Sequence, residues 1–350
     1  MTTTGHTHRV SDIATQSGLS RATVDRVLHG RHGVRAATVA QVEQAIAELD
    51  RQRSQVRLSG RTFLVDLVMQ TPHRFGSATQ SALEAELPGL RPAVFRARLH
   101  LSEASSPAGA AATLAAIKRR GSSGVILKAP DDPRVVEAVH DLSAAGIPVV
   151  TFVTDLPFSS RVAYVGVDNR AAGATAAYLI SRWGAGEDGG VLVTLSSSSF
   201  RGEEEREIGF RATLRELAPA RTIHEVTDTD GLDRTMLEAV GTALAGESGI
   251  DAVYSIGGGN GATLAAFRAR GLAPRVFVAH DLDDDNRALL RTRQLSAVLH
   301  HDLRADMRRA CRLLMQAQGA LPGSPASIPS QVQVVTPFNE PAGLVAADAG

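Results

Sequence analysis

Cysteine is nearly missing from this sequence. The lone Cys311 excludes an internal disulfide framework and any cysteine-rich zinc module, and fits a reducing compartment. Long apolar runs are missing too: no segment approaches the eighteen uninterrupted apolar residues of a membrane span, and the first eighteen residues, MTTTGHTHRVSDIATQSG, lack the apolar stretch of an export signal. A cytoplasmic chain that neither spans nor contacts a membrane is the expectation. Net charge is absent, with 37 basic and 37 acidic residues, so the global balance predicts no polyanionic partner. Lysine occurs only at Lys118 and Lys128, a bias that reflects codon composition more than function. What remains is ample core material. With 43% hydrophobic and 21% charged residues over 350 positions, the chain should fold into more than one domain.

The distribution of charge along the chain changes that expectation about partners. Residues 1–61 hold nine arginines against five acids, so a basic head precedes a mildly acidic body, an asymmetry typical of a nucleic-acid-binding end. The head reads as three short helices. Ser11 is placed to cap a helix over 12–17 that Gly18 ends, and Ser20 to cap a second over 21–28. A third is expected over 37–49, where Val39, Val42, Ala45, Ile46 and Leu49 recur at helical spacing. Ile13, Ala14, Leu19, Val24, Val27, Val39, Val42 and Ile46 would form the small core, turning Arg21, Ala22 and Arg26 outward. Isolated exposed arginines are ordinarily solvated surface; two helices joined by the Gly18-Leu19-Ser20 turn match a helix-turn-helix.

Over about forty residues, VSDIATQSGLSRATVDRVLHGRHGVRAATVAQVEQAIAELD resembles the DNA-binding head of the LacI family of bacterial transcription regulators. The resemblance implies that Arg21 and Ala22 read major-groove bases, that Arg26 supports base or phosphate contact, and that Ser20 and Thr23 contact phosphate. Two departures stand out. Arg35 occupies the position where the family has a serine capping the third helix. The linker over 51–61, DRQRSQVRLSGRT with its flanks, lacks the aromatic-x-Pro-Asn and alanine features of the family's hinge helix and is about two residues short before Leu58. Leu58 is the one candidate for the minor-groove wedge that the resemblance implies. The alternative is a flexible basic tether.

From residue 62 onward, short β-branched runs (FLVDLVMQ, GVILKAP, IPVVTFV, GVLVTLSS, AVYSIG, RVFVAHDL) alternate with helix-like segments. This alternation predicts parallel sheets covered on both faces, and about 280 residues are too many for one sheet, so two doubly wound subdomains are expected. The fold class is therefore an all-α head plus an α/β body. Ligands of such folds bind beyond the carboxyl ends of strands. Polar clusters lie there: Gln70 with Phe75, Lys128 with Asp131, Asp155, Asp168 with Asn169, Asn260, Asp281 and His301.

The body resembles the type I periplasmic sugar-binding fold that the LacI family fuses to its head, through GIPVVTF at 146–152, VGVDNRAAG at 165–173, ERxxGF at 205–210 and AHDL at 279–282. The implied division is a head over 1–50, a linker over 51–61, and an effector body over 62–345, with one subdomain from 62–161 plus 291–322 and the other from 162–290 plus 323–345. By the same match Arg206 falls on a sugar-binding arginine, Asp281 on the cleft carboxylate and His301 on a polar ligand contact. Gln70, Phe75, Asp155 and Asn260 complete the candidate effector set, with Phe75 as stacking platform. A guanidinium fork and a carboxylate suit vicinal hydroxyls, because each engages two at once.

Other residues read as structure. Asp168 and Asn169 resemble a helix-capping pair, with Gly173 allowing close packing. Asp283 to Asp285 lack calcium-loop spacing and read as helix caps. GGGNG at 257–261 is a tight cleft-lining turn, and Trp183 is expected in the core. No nucleophile elbow, zinc-helix spacing or phosphate-cradling loop is present. Neither cofactor nor metal nor catalysis is expected. The sequence thus points to a homodimeric, effector-controlled DNA-binding regulator, most simply a repressor, with operator DNA and a sugar or polyol as partners. A cytosolic sugar-binding protein or sugar-processing enzyme with a non-regulatory head is the alternative, distinguished by whether ligand alters DNA binding.

Overall fold

A computed structural model describes residues 8–31, 33–91, 93–103, 106–184, 189–247 and 249–341, with the side chains of 54–58 left aside. The head consists of α1 (Val10–Ser17), α2 (Arg21–Leu28) and α3 (Ala36–Leu58). Gly18 ends α1 in the left-handed region at φ 68°, and the Ser20 side chain caps α2 by accepting from the Thr23 amide at 3.1 Å. Ser11 does not cap α1. Arg9 takes the N-cap position with no side-chain bond, and Ser11 lies in the first turn with its hydroxyl on Asp12. Ile13, Ala14, Val24, Val42 and Ala45 are the buried centre of the head, flanked by Leu19, Val27 and Ile46, whereas Val39 is only half-buried outside this cluster.

The third helix continues past the expected end at Leu49. Its apolar stripe stops there, but DRQRSQVRL contains neither glycine nor proline and is rich in good helix formers, so backbone propensity carries α3 on to Leu58. Gly60, at φ 76°, breaks it. The linker is therefore mostly helical; the Leu58 side chain, the candidate wedge, lies outside the described residues.

The body is two lobes of parallel sheet. The first lobe builds on β1 (Thr62–Gln70), β2 (Val94–Ser102), β3 (Gly124–Lys128), β4 (Val149–Phe152) and β5 (Ala163–Val165), in the order β2-β1-β3-β4-β5. Helices α4 (His73–Glu86), α5 (Pro107–Arg120) and α6 (Pro133–Ala144) cover it, together with α12 (Leu303–Ala317), whose Met307, Ala310, Cys311 and Leu314 enter the core of Phe63, Leu67 and Phe152. The second lobe contains β6 (Gly190–Thr194), β7 (Ile223–Val226), β8 (Ile250–Ser255), β9 (Val276–His280), β10 (Ala297–His300) and β11 (Gln333–Val335), ordered β11-β10-β9-β8-β6-β7. Among the described strands only β11 runs antiparallel to its neighbour. Helices α7 (Asn169–Trp183), α8 (Arg201–Leu217), α9 (Asp233–Gly246), α10 (Asn260–Arg268) and α11 (Asp284–Arg291) complete it. Strands buried on both faces, such as β3, β6 and β9, read as unbroken apolar runs because helices cover each side.

The chain crosses between lobes three times, and hydrogen bonding sets the points. Because β5 pairs with β4, the first crossing follows residue 165, beyond the expected boundary at 162. Because β10 pairs with β9, the second lies near 301 and not 291. The third runs beside the first, with Ser330 donating to the Gly166 carbonyl at 2.8 Å and the Tyr164 amide donating to the Ser327 hydroxyl at 2.8 Å.

Two glycines set the distance between α7 and α8. A Cβ at Gly173 would stand 1.9 Å from the Arg206 carbonyl oxygen, and one at Gly209 2.1 Å from that of Arg170, so the two helices pack backbone against backbone. This close approach carries Arg206 to the mouth of the interlobe cleft. Trp183, by contrast, is 45% exposed at the end of α7, so its face of the helix looks to solvent and not to the core.

Candidate functional site: a DNA-facing head and an interlobe cleft

On the head, Arg21, Ala22 and Arg26 share an exposed face of α2, with Thr23 half-buried beside them. Neither the Arg21 nor the Arg26 side chain has a hydrogen bond or ion pair among the described residues, whereas Arg31 and His29 are engaged with Asp25. The Ser20 hydroxyl meets that of Thr23 at 2.9 Å, so both sit together at the start of α2, where unpaired amides and the helix dipole favour an anion.

In the body, Gln70, Phe75, Arg206 and Asp281 come together as walls of the cleft between the lobes. Arg206 is buried, and its Nε donates to Asn169 Oδ1 at 2.8 Å. Asn169 is itself fixed by donating to the Val153 carbonyl and the Tyr164 hydroxyl, so it aims the guanidinium. Asp168 caps α7 through the Ala171 amide, as a structural residue should. Phe75 is buried and stacks on Phe152, with ring centroids 6.4 Å apart. Asp281 follows β9 at φ 64°, and Val153, also lining the cleft, stands at φ 65°. A β-branched residue in the left-handed region is costly, and such strain concentrates at functional sites.

Three candidates fall outside the cleft wall. Asp155 is taken by the Thr151 hydroxyl, the Leu156 amide and the Arg161 guanidinium, so it locks a loop. Asn260 is buried behind the cleft, its Nδ2 donating to Asn286 Oδ1 at 2.6 Å. His301 is buried behind Asp281, with Nδ1 on Asp306 Oδ2 at 2.5 Å and Nε2 3.8 Å from Asp281 Oδ1.

The cleft also contains residues outside the candidate set drawn from sequence. Lys128, at the carboxyl end of β3, donates to the Gln70 carbonyl at 2.9 Å and lies 4.2 Å over the Phe200 ring; burial lowers its pKa to about 8. Its strand-end position was the available signal. Glu203 in the first turn of α8 accepts from the amide and hydroxyl of Ser196. His280 meets the Tyr254 hydroxyl at 2.8 Å, and burial, with Arg206 and His301 adding like charge, holds it well below its ordinary pKa, hence neutral. Asn286 binds the carbonyls of His280 and Asp281, bracing the turn after β9. Gly257 and Gly258 line the wall as a turn; a Cβ at Gly257 would stand 2.0 Å from the Ser196 amide.

Arg74 spans the cleft. From α4 of the first lobe its Nη2 donates to the Gly231 carbonyl at 2.8 Å, and its Nε lies 3.4 Å from Asp283 Oδ2, both in the second lobe. Asp283 also caps α11 through the Asn286 amide, and burial raises its pKa to about 6 against the pull of that bond and of Arg74. Nearby, the Asp131 amide donates to the Ser199 carbonyl at 3.0 Å across the same gap. With the lobes held this way about 60 Å³ of space remains, below the usual range of small-molecule sites.

The family model for bacterial regulatory proteins of the lacI family matches residues 9–54, and that for a periplasmic binding protein domain matches 71–320. The chain belongs to the LacI family. Membership makes it a DNA-binding regulator with a periplasmic-binding-protein body, and not an enzyme. No curated protein gave a significant match. Among solved structures the regulator is similar to GanP, a glucose-galactose binding protein from Geobacillus stearothermophilus, at 16% identity and TM-score 0.71, covering 80% of this chain and 99% of that one. A solute binding protein from Burkholderia graminis, solved with D-arabinose, matches at 19% identity and TM-score 0.71, covering 82% and 98%. A candidate LacI transcriptional regulator from Bacteroides fragilis matches at 15% identity and TM-score 0.70, covering 80% and 98%. At these identities the likeness concerns the fold. No described helix is long and apolar enough to cross a membrane.

Proposed function

We propose that this regulator is a cytoplasmic repressor that binds an approximately palindromic operator as a homodimer and responds to a sugar or polyol held between its lobes. The observation that carries the reading is the chemistry of the cleft. Arg206 keeps its terminal N–H groups without a protein acceptor among the described residues, while Gln70 Oε1 and Asp281 Oδ1 are buried oxygens without a protein donor. Such groups are costly to bury unpaired, and a ligand carrying several hydroxyls offers both donors and acceptors to them. Phe75 supplies an apolar face beside them. The sugars bound by the GanP and Burkholderia graminis proteins accord with that chemistry.

On the DNA side, Ser20, Arg21, Ala22, Thr23 and Arg26 form the proposed reading surface, and two-fold symmetry would set two such surfaces about one helical turn apart. Ligand-driven change in lobe closure would then alter the spacing of the linkers that carry the heads. This coupling is allosteric in the strict sense only if operator and ligand affinities shift each other reciprocally, by about 1–3 kcal/mol.

The test is fluorescence anisotropy of DNA fragments from upstream of the regulator's own and neighbouring genes, with and without a panel of monosaccharides and polyols. Sequence-specific binding displaced by one of them supports the reading. Binding that every sugar leaves unchanged excludes the effector class, and absence of specific binding excludes the operator role.

A further inference from the structure

The regulator contains a second cavity, remote from the cleft chemistry, of about 300 Å³. It lies between α12 and residues 324–328 of the third crossing and is lined by Arg308, Arg309, Arg312, Leu313, Gln316 and Ile328 among others. Three arginines line it, and no acidic side chain belongs to its wall. Arg308 does engage a carboxylate, with its Nε on Glu86 Oε2 at 2.5 Å, but Glu86 is shared with Arg304, whose Nε reaches Oε1 at 2.6 Å. One carboxylate between two arginines leaves an excess positive charge. The Arg309 and Arg312 side chains have no hydrogen bond or ion pair among the described residues. The acid that feels Arg309 electrostatically is Asp306, whose oxygens are already bonded to His301 and Ser330.

We propose that this cavity is a binding site for a small phosphate-bearing anion, distinct from the effector cleft. Its volume is at the lower end of the range of small-molecule sites. Arginine forks pair with phosphate oxygens through parallel N–H···O bonds, and two unpaired forks beside a third that shares its carboxylate repel one another until an anion joins them. Ile328, 62% exposed, and Leu313 give the site an apolar flank that suits the organic part of a phosphate ester. The position gives occupancy a consequence. Residues 324–328 precede Ser330, which donates its amide to Gly166 at the first crossing and its hydroxyl to Asp306 on α12. An anion drawn between α12 and this segment ties the third crossing to the first lobe and so acts on the hinge.

The experiment is calorimetric titration of the full chain, free of DNA, with inorganic pyrophosphate at fixed ionic strength. Three proteins are compared: wild type, Arg309→Gln/Arg312→Gln, and Arg21→Gln/Arg26→Gln as a control for the basic head. The expected result is one saturable site per chain in wild type and in the head variant, weakened about tenfold or more in the double α12 variant. All three should melt within a few degrees of one another, since Arg21, Arg26 and Arg312 are exposed and the half-buried Arg309 side chain has no hydrogen bond or ion pair among the described residues. Equal affinity in wild type and the α12 variant overturns the proposal by placing the anion elsewhere. Absence of saturable binding to wild type overturns it outright, and would redirect the basic cavity toward an acidic protein surface.

Discussion

Asp281 in the cleft wall and His301 buried behind it approach within 3.8 Å of each other, and each keeps a buried polar atom, Oδ1 and Nε2 respectively, without a hydrogen-bond partner among the described residues. The imidazole is held from its other side by Asp306, and Asp306 by the Ser330 hydroxyl at 2.5 Å, so a chain of polar contacts runs from the cleft to the third crossing. Despite burial, the bonds from His301 and Ser330 keep the Asp306 carboxyl below its ordinary pKa and hence ionised. In the proposed reading Asp281 meets the effector and His301 stands behind it. Asp281→Ala should reduce effector affinity about 100-fold by removing a charged acceptor from the cleft wall, and His301→Leu about tenfold by removing the polar group packed behind it. Both should leave operator binding without effector unchanged. Effector titrations in anisotropy check this, and equal losses for the two variants would contradict the division of roles.

Gly173 predicts a linked loss of stability and response. A methyl group there collides with the Arg206 carbonyl at 1.9 Å, where backbone, not a pliant side chain, must move. Gly173→Ala should therefore lower stability by about 1–3 kcal/mol and displace the Arg206 guanidinium from its bond to Asn169. Gly261→Ala is the control. It sits in α10 with open space around it, and alanine there should be neutral or stabilising by up to about 1 kcal/mol. Urea denaturation with effector titration measures both quantities, and a Gly173→Ala protein as stable as wild type would refute the packing account.

What the sequence made legible, and what it hid, follows from the range of each interaction. Arg206 and Asp281 could be read because the residues around them, ERxxGF and AHDL, are local motifs on a helix and at a strand end. Asp155 has the same strand-end credentials, yet Arg161, six residues on, folds back and neutralises it. Sequence spacing in a loop does not reveal that return. Asn260 likewise follows a strand, yet it lies outside the cleft lining, because Asn286 from α11 takes its amide. Arg74 was invisible for a deeper reason: its partners Gly231 and Asp283 belong to the other lobe, and only the lobe geometry brings them within reach. The extension of α3 was hidden by the opposite error, since an end to apolar periodicity marks the end of packing and not of helix.

Titration of the bridge predicts an opposed pair of pH dependences. Asp283 has a folded pKa raised to about 6 from 3.8, so the folded state binds its proton more tightly and stability falls as pH rises through that window. His300 behaves oppositely: burial, with His301 adding like charge, lowers it to about 4, so its contribution is lost as pH falls from 6.5 toward 4. The wild-type slope mixes both, together with that of His280. Subtraction isolates Asp283. The unfolding free energy of Asp283→Asn minus that of wild type should rise between pH 4 and about 6 and level off above, because asparagine keeps the cap on Asn286 without a charge. A difference that stays flat across that range would show that Asp283 is not the buried acid.

The head offers the most direct separation of base reading from phosphate contact. Arg21 and Arg26 lie on one exposed face of α2, without acidic partners to restrain them. An arginine that reads guanine loses about 1–3 kcal/mol of discrimination per half-site when truncated, whereas one that contacts phosphate lowers affinity for every sequence and reduces the salt slope by about one. Arg21→Ala is expected to flatten affinity differences among single-base operator variants. Arg26→Ala should weaken binding evenly and lower the salt dependence, and because two heads engage one operator, each effect appears about doubled in the dimer's free energy. Ser20→Ala tests the scaffold beneath them: it removes the cap on the Thr23 amide, at a cost of about 1 kcal/mol in helix stability, and so weakens both kinds of contact together. Anisotropy across an operator library at several salt concentrations resolves the three patterns, and an Arg21→Ala protein with unaltered base preference would remove α2 as the reading helix.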